Sequence, residues 1–132
     1  MATVLVIDDQ MELRTLFQRV LEHGGHQVVA AEGGEEAVRA TESWTPDLVL
    51  LDMAMPQMDG LQFLQTVRQR PGWQSVPIIV LSGMLTAEQM AAARELGVCD
   101  QLVKGQFTTR ELRARVAQHL PPLPGRTGCN AA

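Results

Sequence analysis

Leu48-Val49-Leu50-Leu51-Asp52, followed by Met53-Ala54-Met55-Pro56-Gln57-Met58-Asp59-Gly60, is the stretch that decides the fold. Four consecutive apolar residues without alternation predict a strand buried on both faces, the habit of a parallel sheet. The run closes on a carboxylate, and Pro56 and Gly60 keep it from continuing as a strand. Asp52 is therefore expected where a buried strand meets its loop. In open α/β sheets that carboxyl edge is where ligands bind.

Upstream, residues 4–7 form a β-branched, apolar first strand that ends on Asp8 and Asp9. Leu13, Leu16, Phe17, Val20 and Leu21 then recur at helical spacing, and Gly24-Gly25 closes that helix. Residues 27–31 make a second, weaker strand. Gly33-Gly34 opens a short helix with Ala37, Val38 and Trp44 available for packing, and Thr45-Pro46-Asp47 breaks it. Downstream, Leu61, Leu64, Val67 and Arg68 restore helical spacing until Pro71-Gly72. Residues 76–81 are a fourth buried strand ending at Ser82-Gly83. Thr86 with Gln89, and later Thr108 with Glu111, are capping-box patterns that begin helices. Between them residues 98–103 read as a fifth strand, interrupted by Asp100 and Gln101 and so expected at a sheet edge, with Lys104-Gly105 behind it. Leu112, Val116 and Leu120 supply the last helix with its inner stripe. Five strands alternating with five helices predict a parallel sheet covered on both faces. Residues 1–120 are read as one domain and residues 121–132, rich in Pro and Gly, as a flexible tail or linker stump.

The chain has 132 residues and a net charge of −4, which gives no basis for non-specific binding to nucleic acid or an anionic membrane. No apolar run is long enough for export or for a membrane span, and a cytoplasmic location is expected. Cys99 and Cys129 are read as free thiols, and His23, His26 and His119 have no metal-binding spacing. Of the 11 basic residues, 10 are arginine and only Lys104 is lysine, so its position asks for a reason.

In a parallel sheet all carboxyl ends of the strands lie on one edge. Asp8, Asp9, Asp52, Ser82 and Lys104 are thereby expected together. Singly each has an ordinary explanation: Asp9 with Glu12 as a capping box, Asp52 as a turn former, Ser82 as loop chemistry, Lys104 as a solvated end. Together they are not explained that way, because three clustered carboxylates repel one another and a single ammonium does not neutralise them. A hard divalent ion held by carboxylates, a carbonyl and water suits Mg²⁺. With that charge shielded, Asp52 can attack phosphorus while Ser82 donates a hydrogen bond to the phosphoryl group.

These motifs, Val-Leu-Val-Ile-Asp8-Asp9, Leu-Leu-Asp52-Met-Ala-Met-Pro56-Gln-Met-Asp-Gly60, Ile-Val-Leu-Ser82-Gly83 and Val-Lys104, resemble a response-regulator receiver domain of two-component signalling over about residues 3–120. The resemblance implies a flavodoxin-like, doubly wound α/β fold with strand order 2-1-3-4-5. It implies Asp52 as phosphoacceptor, with Mg²⁺ on Asp9, Asp52 and the Ala54 carbonyl, and on Asp8 through water. Ser82 would sense the phosphoryl group and Lys104 would pair with it. The donor would be a histidine kinase or phosphotransfer protein. The output would be an unidentified protein, met through the fourth helix, fifth strand and fifth helix, with the chain a monomer or a weak phosphorylation-dependent dimer. No enzymatic activity beyond its own phosphorylation and dephosphorylation is implied, and no direct contact with nucleic acid or membrane. Ala54 and Met84 would flank the path of hydrolytic water, and since neither orients water, slow self-dephosphorylation is expected.

Two positions depart from the family pattern. Gln101 stands at the switch position where the family carries an aromatic ring, and Gly105 follows the lysine where proline across a cis bond is common. A cis bond without proline costs about 3 kcal/mol, so a different loop is expected. A pseudo-receiver that docks a partner without phosphate is an alternative that the complete acidic site disfavours. An aspartyl-phosphate phosphatase is another, disfavoured because Met53 and Ala54 supply no second acid.

Overall fold

The computed structural model describes residues 2–53, 58–83 and 86–120. Five parallel strands, β1 (Thr3–Ile7), β2 (Gln27–Ala31), β3 (Leu48–Asp52), β4 (Ile78–Ser82) and β5 (Val98–Val103), form one sheet of order 2-1-3-4-5. Between and after them run α1 (Met11–His23), α2 (Gly34–Ala40), α3 (Gly60–Val67), α4 (Ala87–Glu95) and α5 (Thr109–His119). The expected architecture and order are those observed, with β5 at an edge. No described helix is long and apolar enough to cross a membrane.

Successive side chains of a strand face opposite sides, and each side of this sheet has its own core. Leu5, Ile7, Val49, Leu51, Ile78 and Val80 pack with Phe63, Leu64, Val67, Trp73 and Ala93 under α2, α3 and α4. Val4, Val6, Leu48, Leu50, Ile79 and Leu81 pack with Phe17, Leu21, Leu112 and Val116 under α1 and α5. All five residues of β3 are buried, as its unbroken apolar run requires. This alternation also sorts the polar residues that follow. Asp8, Asp52 and Lys104 continue the α1/α5 side, whereas Ser82 and Gln101 continue the side covered by α3 and α4.

Three helices begin with a full capping box, Asp59 with Gln62, Thr86 with Gln89, and Thr108 with Glu111. The first of these places Gly60 against the end of β3. A methyl group there would lie 2.9 Å from Met53 Cα and 3.3 Å from the Asp52 carbonyl oxygen, so only glycine lets α3 approach this closely. At the far end of α3, the Arg68 guanidinium donates to the carbonyls of Leu96 (2.7 Å), Gly97 (3.1 Å) and Trp73. It ties the ends of α3 and α4 together, and burial lowers its proton affinity.

Several expectations are corrected. Leu16, placed in the inner stripe of α1, is 43% exposed. Asp9 and Glu12 form no capping box, since α1 begins at Met11 behind Gln10, which caps without its side chain. Cys99 is disulfide-bonded and not a free thiol; spatial approach, which spacing in a sequence does not reveal, decides such pairing.

Asp100, which interrupts β5, is explained by α5. Its Oδ1 accepts from Arg115 Nη1 at 2.6 Å and its Oδ2 lies 3.0 Å from His119 Nε2. Burial alone would raise its pKa, but the Arg115 and His119 contacts and the Gln101 backbone N–H outweigh that and hold it below the ordinary value of 3.8. A depressed carboxyl pKa contributes stability above the ordinary value, lost as pH falls through the lowered one. Asp100→Asn is expected to cost about 1 kcal/mol at neutral pH, discounted for partial exposure. Denaturant melts should show the gap between parent and variant closing below the ordinary carboxyl range; a gap independent of pH would refute the pairing.

Candidate functional site

The strands deliver their terminal residues to one edge through backbone pairing. Leu51 lies beside Ile7, Asp52 beside Leu81 and Ser82 beside Val103. The Lys104 N–H donates to the Ser82 carbonyl at 2.8 Å, carrying the β4–β5 ladder one residue further. Asp8, Asp52 and Ser82 are buried at 0%, 2% and 2% exposure, while Asp9 faces solvent. All five predicted residues therefore gather at the carboxyl edge, in two depths.

Lys104 Nζ sits 3.1 Å from Asp52 Oδ2 and 3.3 Å from Asp8 Oδ2. The first contact is a hydrogen bond. The second is an ion pair, and among the described residues Asp8 Oδ2 has no further polar partner in hydrogen-bond geometry despite full burial. Burial by itself lowers the affinity of Lys104 for its proton, but Asp52 and then Asp8 outweigh it, and the pKa is raised above 10.5. The lone lysine of the chain thus has its explanation: it is the ammonium set between two buried carboxylates. Asp8 is held from its other side. Its Oδ1 accepts from the Gln10 N–H at 2.9 Å, and its carbonyl accepts from Arg14 Nη1 at 2.9 Å.

One oxygen from each of Asp8, Asp9 and Asp52 lies within 4.8 Å of the others. Three carboxylates against one ammonium leave the cluster short of positive charge, and a buried carboxylate oxygen without a donor carries a desolvation cost that a cation would remove. The donor set is all oxygen, the kind hard divalent ions take. Asp9 also opens onto a hollow of about 340 Å³ lined by Glu32, Glu35, Glu36 and Arg39, so the approach to the cluster is acidic.

Two residues were missed at the sequence level. Gln10 Oε1 accepts from Lys104 Nζ at 3.4 Å, and Arg14 fixes the Asp8 main chain. Neither has a signal beyond following an acidic pair. Gln101, expected at the switch position, donates from Nε2 to Ser82 Oγ at 3.4 Å. Gly105 has φ +82°, and the described residues hold no cis peptide bond. Proline, fixed near −65°, cannot adopt that conformation, which is why this loop carries glycine. The Ala54 carbonyl, the Ala54 and Met84 side chains, and the tail from 121 to 132 lie outside the described residues.

A doubly wound sheet with three carboxylates and one ammonium at its carboxyl edge is the arrangement of a receiver-type signalling domain. The model of the response regulator receiver domain matches residues 4–117. The alkaline phosphatase synthesis transcriptional regulatory protein PhoP of Bacillus subtilis is 36% identical over 113 residues, which are 86% of this chain and 46% of that protein. The KDP operon transcriptional regulatory protein KdpE of Escherichia coli is 34% identical over 116 residues, 88% of this chain and 50% of that protein. The chain spans about half the length of these curated relatives. Among solved structures, chemotaxis protein CheY4 of Vibrio cholerae aligns with a TM-score of 0.84 and 28% identity, covering 89% of this chain and 98% of that one. A putative response regulator from Chloroflexus aurantiacus aligns with a TM-score of 0.80 and 32% identity, covering 89% and 95%. The chain belongs to the response regulator receiver domain family of two-component systems.

Proposed function

We propose that this chain accepts a phosphoryl group on Asp52 from the phosphohistidine of a histidine kinase or phosphotransfer protein, and that the modification alters its contacts with an output partner. The observation that carries this reading is the Asp52 carboxylate, buried at the end of β3 and held by the only lysine of the chain at 3.1 Å. One Asp52 oxygen forms a bond to phosphorus as the bond from phosphorus to the donor nitrogen breaks. The electron pair stays on the imidazole, which takes up a proton. Lys104 pairs with a phosphoryl oxygen and Ser82 donates its hydroxyl proton to another. Asp9 and Asp52 would hold Mg²⁺ directly, with the Ala54 carbonyl, and Asp8 through water; when bound, the ion neutralises charge on the cluster and on the phosphoryl oxygens. The chain acts on no separate substrate, and the α4, β5 and α5 surface, which Ser82 and Lys104 lead into, is the proposed output face.

The test is intact mass after incubation with a small-molecule phosphodonor, with and without Mg²⁺. A gain of one phosphoryl group that requires Mg²⁺ is expected, and no gain in either condition would sink the reading. A second expectation concerns the cation itself. Asp9→Ala removes one of two direct carboxylate ligands and should weaken Mg²⁺ binding by more than about tenfold. Calorimetric titration giving equal affinity for parent and variant would show that Asp9 is no ligand.

A further inference from the structure

Ser82 and Gln101 lie on the α3/α4 side of the sheet, across from the Lys104 pair, and are joined diagonally between β4 and β5. Gln101 pairs with Val80 in the ladder and Ser82 with Val103, which leaves the Gln101 carboxamide beside the Ser82 hydroxyl. Nε2 donates to Oγ at 3.4 Å. A hydroxyl has one proton and two acceptor lone pairs, whereas an amide nitrogen only donates. The bond therefore occupies a lone pair of Ser82 and leaves its single proton to be given elsewhere. Ser82 is 2% exposed, so water does not compete freely for that proton. The main chain beneath Gln101 is also held: its N–H donates to Asp100 Oδ1 at 2.8 Å, and the Asp100 carboxylate is gripped by Arg115 and His119 of α5. The carboxamide thus extends from an anchored point of the strand.

We propose that Gln101 is a positioning residue for phosphoryl capture: by donating to one lone pair of Ser82 Oγ, its carboxamide keeps the Ser82 proton free to be given to a phosphoryl group on Asp52. The inference rests on the phosphoacceptor reading and adds to it a role for a residue type that departs from the family pattern. The opposite orientation, with Ser82 donating to the amide oxygen, would commit the proton and require a bond to break before a phosphoryl oxygen could be served. The assigned orientation, with Nε2 toward Oγ, requires none. The bond is long, which suits a contact that tightens when Ser82 is drawn onto a new acceptor.

The test compares the parent with Gln101→Met, Gln101→Glu, Ser82→Ala and the double variant Gln101→Met/Ser82→Ala. Loading by a small-molecule phosphodonor with Mg²⁺ is followed by intact mass. Gln101→Met keeps the length and loses the donor, and should slow loading about three- to tenfold, the effect of one hydrogen bond. Gln101→Glu accepts where the parent donates, captures the Ser82 proton, and should slow loading further. In the Ser82→Ala background the Gln101→Met change should have no effect, because the two residues act through one bond. Without any phosphodonor, the Gln101 side-chain amide resonance should shift on Ser82→Ala. An equal cost of Gln101→Met in both backgrounds, a Glu variant that loads like the parent, or an unmoved amide resonance would each overturn the inference and leave the phosphoacceptor reading intact. A parent that takes up no phosphoryl group would overturn both.

Discussion

Asp52→Asn should take up no phosphoryl group and, in the absence of divalent cations, should be more stable than the parent by about 1 kcal/mol. Two separate arguments lead there. A carboxamide of nearly the same shape lacks the anionic oxygen that attacks phosphorus, and Asp8, the other carboxylate beside Lys104, belongs to the end of β1 and not to the end of β3. Stability moves the other way. Asp52 is 2% exposed and lies among Asp8 and Asp9, with oxygens of all three within 4.8 Å, against one ammonium. Among the described residues its charge meets the repulsion of Asp8 and Asp9 and the attraction of Lys104, and it also bears the cost of burial. Asparagine removes the repulsions and that cost while keeping an oxygen that can accept from Lys104 Nζ, now 3.1 Å from Asp52 Oδ2. With saturating Mg²⁺ the order should reverse, because the variant loses a proposed ligand. Thermal melts with and without Mg²⁺, beside intact-mass loading, check both halves. Loading of the variant, or a melt below the parent in metal-free buffer, would contradict the assignment.

The same physics explains how much of the molecule was legible beforehand. β3 was readable because an apolar run with no alternation has few alternatives to a doubly buried strand, and β5 was readable as an edge because Asp100 and Gln101 interrupt it. The cluster was readable because parallel strands must bring Asp8, Asp52, Ser82 and Lys104 to one edge, whatever the details. The details were not. Asp8 and Asp9 are adjacent and chemically identical, yet one is buried beside Lys104 and the other is exposed, a consequence of the α1/α5 core that continues through Val4 and Val6 to Asp8. Leu16 fits a helical stripe as well as Phe17 does, and only the placement of α1 on the sheet turns it outward. Arg68 gives no sign in the sequence that it will serve three carbonyls from two other segments. Gly105 was readable as a departure, but its reason, a left-handed backbone, belongs to the loop. Spacing foretells which edge a residue reaches; it does not foretell depth or partner.

Lys104→Met should carry the largest combined effect. Methionine keeps most of the aliphatic stem and removes the ammonium, leaving Asp8 and Asp52 buried against each other without a cation. Breaking such a site from one side costs about 3–5 kcal/mol when fully buried, and with Lys104 at 21% side-chain exposure about 3 kcal/mol is expected. The pH dependence follows from the raised pKa of Lys104. Burial works against its charge, Asp52 and Asp8 prevail, and the folded value lies above 10.5. A raised basic pKa contributes stability that is complete below the ordinary value and is lost as pH rises through the folded one. Above the range in which Asp8 and Asp52 take up protons, the gap between parent and variant should therefore be flat through neutral pH and close as pH rises into strongly alkaline buffer. Mg²⁺ should stabilise the variant more than the parent, since a divalent ion supplies charge that the parent already has in part. Phosphoryl loading should fall at least about 100-fold even with Mg²⁺ present, because the ammonium that pairs with the phosphoryl oxygen is gone. A gap that closes between pH 7 and 9 (about two units below the window required), or equal stabilisation of both proteins by Mg²⁺, would mean that Lys104 does not hold the two carboxylates together.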